Sequence, residues 1–102
     1  MKEWQREELT SFIANKSSGL VYFYTPLCGT CQVASRMLQI IQELVTIEMG
    51  KMNLNFHPDL AKTHAIESVP CLLFIKDGQV TEILYAFHSV PYLLEKIKEY
   101  FH

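Results

Sequence analysis

The stretch Leu20 to Cys31, LVYFYTPLCGTC, constrains this chain more than any other. Leu20 to Tyr24 is an unbroken apolar run rich in the residue types that suit a buried strand. Thr25-Pro26 stops it, because proline cannot donate to a ladder and restricts the residue before it. Cys28 and Cys31 follow, and then Val33, Ala34, Met37, Leu38, Ile41, Leu44 and Val45 recur at spacings of three and four, as one face of a helix does. The pattern predicts two cysteines where a strand hands over to a helix.

That junction has definite physics. The first turn of a helix carries N–H groups with no internal partner and the positive end of the macrodipole. An anion there is stabilised, so Cys28 should ionise more readily than a free thiol, whose pKa is about 8.5. Cys31 lies one turn on, within reach of a disulfide. A bridge closing so small a loop is worth roughly 2 kcal/mol at best, against about 3 for a fifteen-residue loop. Such a bond is a poor staple, and it makes more sense as one that opens and closes.

With 102 residues, 49% of them hydrophobic and 20% charged, the chain is expected to form a single domain over residues 1–102. A net charge of −2 gives no basic footprint, so no nucleic-acid partner is expected. The opening MKEWQREELT is polar where a secretory signal would be apolar, and no run approaches the roughly 20 apolar residues of a membrane span. The expectation is a cytoplasmic protein with no membrane association, acting as a monomer. Three cysteines, Cys28, Cys31 and Cys71, cannot all pair within one chain.

Taken in order, residues 2–16 read as a helix with Leu9, Phe12 and Ile13 on its apolar face; Trp4 either extends that face or is a partly exposed end. After the cysteine helix, Gly50 reads as a break and Lys51 to Asn55 as a short strand parallel to the first. His57-Pro58 opens a short helix running to about Ala65. Val69-Pro70 precedes the apolar run Cys71 to Ile75, and Asp77-Gly78 joins strand 71–76 to an edge strand 79–85. Ser89 can cap a last helix whose apolar face is Val90, Leu93, Leu94, Ile97 and Phe101. The economical arrangement is an α/β fold, a four-stranded mixed sheet flanked by helices.

Cys28-Gly29-Thr30-Cys31, the KMNLN strand from Lys51, Val69-Pro70 and the KDG turn at Lys76–Gly78 together resemble the thioredoxin family over nearly the whole chain. The resemblance implies a thioredoxin-like fold and a thiol–disulfide oxidoreductase that exchanges disulfides with protein substrates and needs no bound cofactor. Cys28 would be the attacking thiolate and Cys31 the group that resolves the mixed disulfide. Gly29 and Thr30 would support the motif and tune its redox poise. Pro70 resembles the family's cis-proline, which would turn the Val69 backbone outward to pair with an extended substrate. A thioredoxin reductase or a low-molecular-weight thiol would supply electrons.

Four departures from the family pattern stand out. The N-terminal edge strand is expected to be missing, leaving four strands. Leu27 stands where an aromatic is usual, and Thr30 replaces a proline. Tyr22 aligns with the buried acid that assists proton transfer at the second cysteine, and a phenol with a pKa near 10 is a poor base at pH 7. Deprotonation of Cys31 is therefore expected to be slower or to use water.

The competing reading is a metal-binding or redox-sensing module without turnover. Structural zinc needs four ligands. Cys71 and a histidine could complete the pair, although His57, His64, His88 and His102 show no ligand spacing near it. Cys71, at the start of an apolar strand, reads first as core and second as a thiol near the site.

Overall fold

The computed structural model describes residues 1–101. Its elements in chain order are β1 (Lys2–Glu3), α1 (Arg6–Ala14), β2 (Gly19–Tyr24), α2 (Gly29–Leu44), β3 (Glu48–Asn53), a 3-10 turn (Leu54–Phe56), α3 (Pro58–Thr63), β4 (Cys71–Lys76), β5 (Gln79–Leu84) and α4 (Val90–Phe101). The strands form one sheet in the order β1-β3-β2-β4-β5. β1, β3 and β2 run parallel, while β4 is antiparallel to β2 and β5 to β4.

The sheet thus has five strands, not four, and the N-terminal edge strand expected to be missing is present. Lys2 and Glu3 pair with Gly50 and Lys51 of β3, displacing the predicted start of α1 to Arg6. Two polar residues carry no hydrophobic alternation, so nothing local marks them as a strand. What places them is tertiary: Trp4 is buried and lies flat on β3 at Gly50, where a Cβ would come within 2.1 Å of the indole. That contact also explains why Gly50, which reads as a break, sits inside β3. Beyond β1, the carboxylate of Glu3 accepts from the Tyr24 hydroxyl at 2.7 Å and from the Asn53 N–H at 3.2 Å, pinning the strand across the ends of β2 and β3.

β2 is central and alternates between the two layers. Leu20 and Tyr22 face a core built with Ala34, Leu38 and Ile41 of α2 and Leu93 and Ile97 of α4. Val21 and Phe23 face the other, built with Trp4, Leu9, Phe12, Met52 and Leu60. At the β4–β5 turn Asp77 and Gly78 both have positive φ, 52° and 80°, as the Asp-Gly pair predicts. Ser89 caps α4 as expected, its Oγ accepting from the Tyr92 N–H at 3.2 Å. Among the described residues no helix is long and apolar enough to cross a membrane.

Candidate active site

Thr25-Pro26 ends β2 and the chain turns at once into α2, the Cys28 N–H donating to the Thr25 carbonyl at 3.3 Å. Cys28 is the N-cap of α2, with extended backbone at φ −94°, and its Sγ accepts from the Cys31 N–H at 3.1 Å. This is the predicted geometry: an orphan amide of the first turn points at the sulfur. The two sulfurs are joined as a disulfide, with Cα atoms 5.2 Å apart. Thr30 Oγ1 lies 3.3 Å from Cys28 Sγ. A disulfide sulfur has no proton to give, so the threonine hydroxyl is the donor.

The two cysteines are unequally accessible. Cys28 is half-buried, whereas Cys31 is only 2% exposed. An incoming disulfide therefore meets Cys28 first. Leu27, just before it, is 100% exposed. Gly29 has open space where a Cβ would stand, so it closes no gap at the site. The Val69–Pro70 peptide is cis, and the Val69 carbonyl oxygen is 4.0 Å from Cys28 Sγ. Pro70 and Thr30 share a cavity of about 350 Å³ with Val33, Met37, Tyr85 and Phe87. The last two come from the segment between β5 and α4, which pattern reading did not connect with the cysteines.

Behind Cys31 stands Tyr22, fully buried on β2. Its hydroxyl donates to the Cys31 carbonyl oxygen at 2.6 Å and lies 3.2 Å from Ser35 Oγ, which donates to it. Burial pushes the phenol's pKa up, against the smaller opposing effect of the Ser35 hydrogen bond. Lys51 lies 5.6 Å from the centre of the Tyr24 ring, which itself stacks beside Tyr22. Ser35 was not singled out from the sequence. The available signal was its position one turn after Cys31 on the same helix.

Cys71 is fully buried on β4, opposite Phe23, and burial raises its thiol pKa to about 12. Among the described residues no cluster of three or more His, Cys, Asp or Glu side chains is placed to hold a metal ion. The four-ligand set that the metal-binding reading needs is not assembled there.

The thioredoxin family model matches residues 1–99. The chain is 47% identical over 100 residues to the thioredoxin-like protein YusE of Bacillus subtilis, covering 97% of this chain and 92% of that one. It is 31% identical over 94 residues to a thioredoxin of Listeria monocytogenes, covering 88% and 91%. Among solved structures it is similar to desulfothioredoxin of Desulfovibrio vulgaris, with TM-score 0.86, 21% identity and 97% and 96% coverage. Oxidised mitochondrial thioredoxin 3 of Saccharomyces cerevisiae superposes with TM-score 0.82 at 23% identity, covering 97% and 94%.

Proposed function

This chain belongs to the thioredoxin family of thiol–disulfide oxidoreductases, and from that premise we propose how its residues divide the work. Cys28, as thiolate, attacks a protein disulfide and forms a mixed disulfide; Cys31 then attacks Cys28 Sγ, closes the Cys28–Cys31 bond and releases reduced substrate. The observation that carries this reading is the asymmetry of the pair. The reachable sulfur caps α2 and receives a backbone N–H, while its partner is shielded one turn on. Thr30 adds a hydroxyl donor to Cys28, and Gly29 leaves the approach unobstructed.

Val69 and Pro70 form the substrate-binding edge. The Val69 carbonyl faces the Cys28 sulfur, which suits main-chain pairing with an extended segment carrying the target disulfide. Electrons come from a thioredoxin reductase or a low-molecular-weight thiol, and the protein works in the cytoplasm as a single-domain monomer. Disulfides there are seldom permanent, in keeping with a bond that cycles.

The test is insulin reduction driven by dithiothreitol. Wild-type protein should accelerate it, Cys28→Ser should lose the acceleration, and Cys31→Ser should accumulate a covalent adduct with the substrate. Wild-type and Cys28→Ser proteins of equal activity would show that the first attack lies elsewhere.

A further inference from the structure

The family resemblance puts Tyr22 where a buried acid would help the second cysteine lose its proton. Tyr22 is committed elsewhere: its proton goes to the Cys31 carbonyl, and a lone pair of its oxygen takes the Ser35 hydroxyl hydrogen. Lys51, on β3, reaches the face of the Tyr24 ring, and the Tyr24 hydroxyl is bonded to Glu3. The Tyr22 and Tyr24 hydroxyls of β2 thus both have partners already.

Cys31 also lines a cavity of about 480 Å³, together with Tyr24, Thr25, Gln32, Ser35, Arg36 and Gln39. This cavity is separate from the one beside Pro70, with which it shares no lining residue. No aspartate or glutamate lines it; Arg36 is its one charged side chain among the described residues. Its wall is about half polar, and it is large enough for several water molecules.

We propose that Cys31 discharges its proton through this cavity, with Ser35 positioning the accepting water and Arg36 favouring the thiolate. The inference rests on the assignment of Cys31 as the resolving cysteine. The Cys31 S–H bond breaks and its proton passes to cavity water. The thiolate then attacks Cys28 Sγ, forming the Cys28–Cys31 bond and breaking the bond from Cys28 to substrate. The substrate sulfur leaves with that bond's electron pair and takes up a proton from solvent, so two electrons move from the protein's dithiol to the substrate. Serine can hold the water because its hydroxyl donates to Tyr22 and keeps its lone pairs free to accept. The Arg36 guanidinium puts a positive charge at the cavity wall.

The experiment is stopped-flow reaction of the reduced protein with excess 5,5′-dithiobis(2-nitrobenzoate). One thionitrobenzoate is released when Cys28 attacks, in a phase that depends on reagent concentration. A second is released when Cys31 resolves the adduct, in a phase that does not. The second-phase rate is followed from pH 5.5 to 9 and compared with the first phase of the same trace. The wild-type profile should rise to a single inflection. Arg36→Gln should move that inflection up by roughly half a pH unit, with Arg36→Lys restoring most of it. Ser35→Ala should slow the second phase about threefold below the inflection, with Ser35→Thr recovering the rate.

An inflection unmoved in Arg36→Gln overturns the proposal, as does loss of the inflection in Tyr22→Phe, which would make the phenol the titrating group. Absence of the second phase from wild-type protein at every pH overturns the role of Cys31 itself and the route with it. That outcome is distinct from a second phase whose profile ignores Arg36.

Discussion

Tyr22 shows how one side chain can keep a family's architecture while changing how its site is supported. A carboxylate there would accept hydrogen bonds; the phenol instead donates to the carbonyl of Cys31 and accepts from Ser35, tying the first turn of α2 to β2. Tyr22→Phe keeps the ring packed beside Tyr24 and Phe87 but removes that tie. It should lower the stability of the oxidised protein by about 1 kcal/mol, read as a shift in the urea midpoint at unchanged m-value. The sequence alone marked Tyr22 as a poor base at neutral pH. It could not show the hydroxyl's partners, because both lie on α2 and depend on how that helix seats against the sheet.

Among the elements, β1 is held by side chains and not by its own length. Its two residues are paired with β3, and Trp4 presses on Gly50. Gly50→Ala should displace the indole and cost about 1–3 kcal/mol, as overpacking does. Trp4 is the only tryptophan, so its emission should move to longer wavelength in the same variant. At the other edge, Lys96 of α4 bonds Glu82 of β5 at 2.7 Å, and Tyr100 also donates to that carboxylate. These bonds, Lys96 first, hold the Glu82 carboxyl below its ordinary 4.5. A depressed carboxyl contributes stability above its unfolded pKa and loses it as pH falls through the folded one. Glu82→Gln should therefore melt below wild type at pH 7, and the difference should close as the pH drops below about 4.5. α2, α4 and the hairpin at Asp77-Gly78 were readable because their periodicity or turn chemistry is local. β1 and the start of β3 at Glu48 were not: β1 is held by a contact between residues 46 apart, Trp4 and Gly50, and Glu48 by its pairing with Gly19 of β2.

Over the whole molecule, two cores share one sheet, and the third cysteine sits inside the one opposite α2. Cys71 is wholly enclosed and its thiol pKa is raised to about 12 by burial. Iodoacetamide should modify it more than about a hundredfold slower in native protein than in urea, at a rate that follows opening of the fold. Mass spectrometry of the labelled chain separates Cys71 from the reactive pair. Leu27 is the opposite case, standing entirely in water next to Cys28. Covering such a side chain is worth about 2 kcal/mol to a visitor offering a greasy contact, roughly thirtyfold in dwell time, and little to a purely polar one. That preference weakens on chilling and ignores moderate changes in ionic strength. A single wetted leucine there would favour arriving chains that carry an apolar contact, before any electrons move.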